Sequence, residues 1–220
     1  MNERQKAILE IQQTALQVIQ EHYKDFPYHN TTHTAFVIET ANQLAQDAGL
    51  PPDQLELLTL MAAAHDIIQT NNPLTPGYTG ENENLSADWL AEQMEIASEF
   101  PEDEIEQARR GIEATFIRHR EDGIKQSAEF GDFLSELLCD SDLANLGSPW
   151  ELYFPKMKDY FKEISPNAKN EEWEHYLRLQ IPILRQHHYY TTVAQERFSH
   201  LRENATKLEK LLQKPGSIKL

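Results

Sequence analysis

Three short stretches of the chain carry residue types able to bind a metal ion or move a proton. The first is His65-Asp66, which follows directly on Leu57-Leu58-Thr59-Leu60-Met61-Ala62-Ala63-Ala64 and precedes Ile67-Ile68. An ionised carboxylate in such apolar surroundings is costly unless it is paired or bound to a metal. No Lys or Arg occurs between Lys24 and Arg109, so no cation near in sequence can serve Asp66. A metal ion can, and the adjacent imidazole is a second ligand of the kind transition metals accept. The competing reading makes Asp66 a helix-end acid near solvent and His65 a core histidine satisfied by a carbonyl. The small Ala62, Ala63 and Ala64, which let neighbouring helices approach closely, favour the site.

The second stretch is Tyr28-His29-Asn30-Thr31-Thr32-His33, with two histidines four residues apart at an expected helix start. On a helix both imidazoles face one way, so one can bind a metal while the other reaches a substrate. The third is Cys139-Asp140-Ser141-Asp142-Leu143-Ala144-Asn145-Leu146-Gly147. It opens like an EF-hand loop, but Ala144 and Asn145 occupy the fifth and glycine positions and Pro149 follows, so calcium chemistry is not expected despite Glu151 at the twelfth place. On a helix, residues two apart diverge by roughly 200°, so only one of Asp140 and Asp142 faces a common site.

The elements that must hold these residues read as helices throughout. Apolar spacing predicts segments at about Leu9–Tyr23, Thr31–Ala48, Leu55–Ile68, Asn84–Ser98, Glu102–Ile117, Ala128–Ala144, Trp150–Glu163, Glu171–His188 and Val193–Gln213, with Asp53 placed to cap the third. Pro51, Pro101, Gly123, Gly147, Pro149 and Pro166 fall near the joins. The third helix is so apolar that it reads as central. Residues 70–83, rich in Asn, Pro, Thr and Gly, form a loop long enough for a lid or binding role. No strand-like alternation interrupts the series, and an all-α bundle of nine helices in one domain, 1–213, follows, with 214–220 as a tail.

The 36 acidic and 20 basic residues leave a formal charge of −16, a field that repels polyanions and argues against general binding to nucleic acid or an anionic membrane. A charged N-terminal stretch, no apolar run of membrane-spanning length and a single cysteine, read as a small buried residue, suit a cytoplasmic protein. The Asn-X-Ser/Thr triplets at Asn30, Asn84 and Asn204 are then chance matches. The basic residues Arg109, Arg110, Arg118 and Arg120 cluster around His119; Arg118 and His119 are candidates for contacting a substrate phosphate, against surface pairing with carboxylates.

A histidine, then His-Asp, then a distant aspartate, all on helices, resembles the HD superfamily of metal-dependent phosphohydrolases. Tyr28-His29-Asn30-x-x-His33 is similar to the corresponding motif of cyclic nucleotide phosphodiesterases, without their longer catalytic domain. The likeness covers about residues 25–147, the expected metal-site core, with 150–213 as C-terminal helices; the part from Trp173 through His188, Tyr189, Tyr190 and Asn204 also resembles small bacterial members.

The resemblance implies His33, His65 and Asp66 as metal ligands, with Asp142 as the last ligand and Asp140 as its fallback. Asp66 would be able to bridge to a second ion. It implies His29 as the acid that protonates the leaving oxygen, and Glu83 as an acidic residue near the attacking water, where a helix-capping role competes. The expected cofactor is one or two divalent transition-metal ions (Mn, Fe, Ni, Co or Zn), with Mg at a second site, and the expected partner is a small phosphorylated substrate, a nucleotide mono- or diester. Two rival readings are an HD-type di-iron oxygenase, which would recruit His119 or His187, and a non-catalytic nucleotide-sensing module.

Overall fold

The computed structural model describes residues 2–73, 75–120, 123–128, 132–214 and 220; the side chains of His119 and Arg120 lie outside the described part, as does most of the 214–220 tail. The architecture is all-α: ten α-helices and one two-stranded hairpin among the described residues. Helix α1 (Glu3–Tyr23) begins earlier than apolar spacing predicts because Asn2 and Gln5 form a reciprocal cap, Gln5 N donating to Asn2 Oδ1 (2.8 Å) and Asn2 N to Gln5 Oε1 (3.2 Å). Helix α2 (Thr31–Asp47) is capped by Asn30, whose Oδ1 accepts from Thr32 N at 2.9 Å.

Helix α3 (Pro52–Ala64) is the hub, with Leu58, Leu60, Met61, Ala62 and Ala64 fully buried against α1, α2, α4 (Glu81–Ala97), α5 (Glu102–Glu113) and α6 (Phe133–Asp142). Two expectations change here. Pro51, with Pro52 behind it, starts α3, and Asp53 sits in its first turn without capping it. The helix also stops before His65 and does not run on to Ile68; the next backbone amides bond elsewhere, Ile68 N to Ser86 Oγ (3.1 Å) and Gln69 N to the Tyr23 hydroxyl (3.1 Å). His65 and Asp66 therefore lie at a helix C-terminus, whose partial negative charge suits a cation.

Helix α5 ends at Glu113, short of the expected Ile117, and the join beyond it holds two short strands. Arg118–Arg120 (β1) pairs antiparallel with Gly123–Lys125 (β2), His119 opposite Ile124. After α6 the chain tightens into a 3-10 turn, Leu143–Gly147. A second buried cluster, Tyr153, Met157, Phe161, Trp173, Leu177 and Leu184 with Ala205 and Leu208, joins α7 (Trp150–Ile164), α8 (Asn170–Gln186) and α10 (Leu201–Leu212). The last predicted helix is two, α9 (Thr192–Arg197) and α10. The break at residues 198–200 is set by the 3-10 turn: Gly147 O accepts from His200 N (3.1 Å), and a Cβ on Gly147 would stand 2.3 Å from Phe198 O. Leu220 returns to α8, its N–H donating to Asn170 Oδ1 at 3.2 Å. No described helix is long and apolar enough to cross a membrane.

Candidate metal centre

Four side chains from three places in the sequence meet at one point. His33 comes from the first turn of α2, His65 and Asp66 from the end of α3, and Asp142 from the end of α6. One ligand atom of each lies within 4.8 Å of all the others. Asp66 Oδ2 is 2.9 Å from His65 Nε2 and 3.1 Å from His33 Nε2; Asp142 Oδ1 is 3.5 Å from His33 Nε2 and 3.7 Å from His65 Nε2; the two Nε2 atoms are 3.4 Å apart. Metal–ligand bonds of about 2.1 Å separate neighbouring donors by roughly 3.0 to 3.4 Å. The group thus has the dimensions of a metal's coordination shell, and it can hold a metal ion.

The atoms facing away from the centre show how it is held. His65 Nδ1 donates to Ala62 O (2.9 Å), which leaves the lone pair on Nε2 turned inward. Asp66 Oδ1 accepts from Gln69 Nε2 (3.0 Å) and Asp142 Oδ2 from Gln126 Nε2 (2.8 Å). Each outer atom of these three ligands is engaged, whereas the outer Nδ1 of His33, the fourth, is buried without a partner among the described residues. Asp66 Oδ2, the oxygen facing the centre, is also buried and has no hydrogen-bond partner among the described residues. An unbonded buried carboxylate oxygen costs free energy that a cation recovers.

The field at the centre also calls for positive charge. Burial pushes the Asp66 carboxyl up, but the rings of His65 and His29 outweigh it and hold it well below the usual carboxylate range. Burial likewise lowers the His65 imidazole, yet Asp66 and Asp142 raise it well above its ordinary value. A proton occupies in the metal-free site the role a divalent ion takes when bound.

No family model matches the chain, and the search of curated proteins finds no match.

His29 stands beside the cluster, its Nε2 3.8 Å from Asp66 Oδ2. Its Nδ1 hydrogen-bonds Glu163 Oε1, and Glu163 Oε2 accepts from the Tyr28 and His29 amides at 2.8 and 2.9 Å. Burial lowers this imidazole too, but Asp66 and Glu163 together raise it. Glu163 and Gln126 were not singled out in the sequence; each is remote along the chain from the residue it orients, and no local pattern marks it. Gln69, three residues after Asp66, was within reach of a spacing argument.

Glu83 lies in the first turn of α4 and lines the same cavity as His29, Asp66 and Asp142, a space of about 150 Å³. It accepts a hydrogen bond from the Tyr78 hydroxyl, and burial, with the charges of Asp66 and Asp142, raises its pKa. Among the described residues no second group of three or more metal-binding side chains accompanies the first.

Other candidates are placed elsewhere. Asp140 is turned away from the centre: its carboxylate accepts from Tyr190 N (2.8 Å), Thr191 N (2.8 Å) and Thr191 Oγ1 (2.7 Å), holding the start of α9, while burial pushes it up to about 6. Asp140→Ala is therefore expected to cost about 3 kcal/mol of stability, through lost charge-assisted bonds and stranded donors, and to leave metal binding intact. Asp142→Ala is expected to do the reverse. Urea unfolding and metal analysis of the two variants check the pair.

Arg118 does not line the cavity; it is exposed, with its guanidinium 5.7 Å from the Phe116 ring centroid. Arg109 pairs with Asp88 and Arg110 with Glu106, as surface partners. The side chain of His119 lies outside the described residues.

His187 is packed against Tyr189, ring centroids 4.7 Å apart, and does not join the metal-binding group. Burial, and then His188, push its ring down to about 4. A depressed folded-state pKa means the unfolded chain takes up the proton first, so the stability present above about 6.5 is lost as pH falls toward 4. The difference amounts to about 3 kcal/mol. His187→Gln should flatten the pH dependence of thermal unfolding over that interval; an unchanged slope would contradict the assignment.

Proposed function

We propose that the chain is an HD-type, metal-dependent phosphohydrolase that cleaves a phosphate ester of a small molecule, a nucleotide mono- or diester, in the cavity beside His33, His65, Asp66 and Asp142. One observation carries the reading: the outward atoms of His65, Asp66 and Asp142 are bonded, whereas Asp66 Oδ2 at the centre is bare. The mixed nitrogen and carboxylate set suits manganese, iron, nickel, cobalt or zinc better than calcium. Such an ion supplies positive charge for the phosphoryl oxygens and lowers the pKa of water to near neutrality.

The protein's own groups divide the proton transfers. Attack forms a phosphorus–oxygen bond from water and breaks the ester bond to the alcohol. Glu83, raised toward neutrality, takes the proton that water loses. His29 is held protonated by Asp66 and Glu163, and gives its Nε2 proton to the departing alkoxide. The Glu163 bond to Nδ1 fixes the ring so that Nε2 faces the Asp66 side.

Release of phosphate or nucleoside from a panel of nucleotides and cyclic nucleotides, in EDTA or with manganese, nickel, iron, cobalt or zinc, tests the reading beside a His65→Ala/Asp66→Ala double variant. Metal-dependent turnover absent from the variant is the expected result. No turnover with any metal would overturn it.

A further inference from the structure

Three consecutive residues between α8 and α9, Tyr189, Tyr190 and Thr191, bracket the turn that carries Asp142. Beyond Asp142, the Tyr189 hydroxyl accepts from Gly147 N (2.9 Å) and donates to Leu143 O (3.2 Å). Before it, Tyr190 N, Thr191 N and Thr191 Oγ1 all donate to the Asp140 carboxylate. The backbone of Tyr190 is thus tied on both sides, and either tie holds it when the other is lost. Its side chain runs to a third place, the hydroxyl donating to Gln126 O at 2.6 Å. Gln126 is only 2% exposed, and its Nε2 donates to Asp142 Oδ2 (2.8 Å) and to Thr115 O (3.0 Å). Both amide protons are therefore engaged. Turning the amide over would set its oxygen against a carboxylate and a carbonyl, so a single orientation is allowed.

We infer that Tyr190 is a positioning residue for the metal centre: through Gln126 it holds the outer oxygen of Asp142, so that Oδ1 stays turned toward His33 and His65. Gln126 needs such support because it directly follows β2, and among the described residues β1 and β2 pair only with each other. A lone two-stranded hairpin is marginal in water, so the residues after it take their place from bonds made outside it. Those bonds come from two directions. Ser127 N donates to Ala114 O at 2.8 Å, and the Tyr190 hydroxyl takes the carbonyl of Gln126 itself. A metal ligand keeps its full affinity only while its outer atoms are held, since a carboxylate free to turn loses the orientation that the ion requires. The inference rests on the metal centre of the reading above and not on hydrolysis, and Tyr190 touches neither ion nor substrate.

Affinity of the full chain for manganese and for zinc, measured by competition with a chelator, tests this without any need for turnover. Tyr190→Phe keeps the ring and the backbone N–H, and should weaken binding about 3- to 10-fold, less than the 10- to 100-fold expected for Gln126→Leu, which removes the outer-shell partner itself. Gln126→Met, closer to glutamine in shape, should match Gln126→Leu. Because Tyr190 acts through Gln126, adding Tyr190→Phe to Gln126→Leu should cost no further affinity. A merely structural role would lower Tm in EDTA and leave the affinity where it was. The inference falls if Tyr190→Phe binds both ions as tightly as the wild type, or if its effect multiplies with that of Gln126→Leu. A wild type that binds neither ion would overturn it together with the metal centre. Weakened binding in the variants, with no phosphate release by the wild type, would sustain the inference and remove only the hydrolase reading. Metal-dependent turnover with unaltered affinity in Tyr190→Phe would do the opposite.

Discussion

Asp66→Asn is expected to lower affinity for manganese, nickel, iron or zinc by well over the 10- to 100-fold that loss of an outer-shell partner costs, roughly 1,000-fold. Its Oδ2 lies 2.9 and 3.1 Å from the inward nitrogens of His65 and His33, closer than any other oxygen of the group. An amide oxygen in its place carries no formal charge, and an amide nitrogen turned inward would meet two imidazoles. Metal at 1,000 times its dissociation constant stabilises a folded protein by about 4 kcal/mol. The wild type should therefore lose several degrees of Tm on adding EDTA, and Asp66→Asn should lose none. Phosphate release should vanish with the metal. A variant that keeps both the EDTA response and turnover would remove Asp66 from the centre and with it the proposed mechanism.

Glu163→Gln should lower kcat by roughly 10- to 100-fold with little change in KM, somewhat less than the 10²- to 10⁴-fold expected for His29→Ala. The glutamine keeps an oxygen near Nδ1 but removes the charge that helps raise the His29 pKa. The sign is fixed by the acid role. Activity that needs protonated His29 is full below its pKa and falls above it, so lowering that pKa moves the alkaline limb of the kcat profile to lower pH. A purely structural role for Glu163 would reduce the amount of folded enzyme and leave the limb where it was. A shift to higher pH would show that His29 is not the proton donor.

Much of the site was legible because its members sit in local patterns that conflict with their surroundings. His65-Asp66 interrupts an apolar run with no cation near, and Asn30 caps α2 in a way that sets His33 on its first turn. The Asp140/Asp142 alternative could be posed from the helical repeat but not resolved, since the answer depends on which face of α6 meets α2 and which meets the start of α9. Glu163 and Gln126 carried no readable signal, because each acts on a residue far away in the chain.

The break between α9 and α10 shows the same division. Local propensity over 193–213 favours continuous helix, and a tertiary contact overrides it: the Gly147 turn occupies the backbone of residues 198–200. By itself the sequence determined the helical class, the central apolar helix and the identities of the residues able to bind a metal, because these depend on short-range periodicity and on the cost of burying charge. Only the tertiary structure decided that four of them share one centre, that Asp142 and not Asp140 faces it, and that Glu163 aims His29. Those are distances between segments up to about 130 residues apart, set by how helices pack and not by the spacing within any one of them.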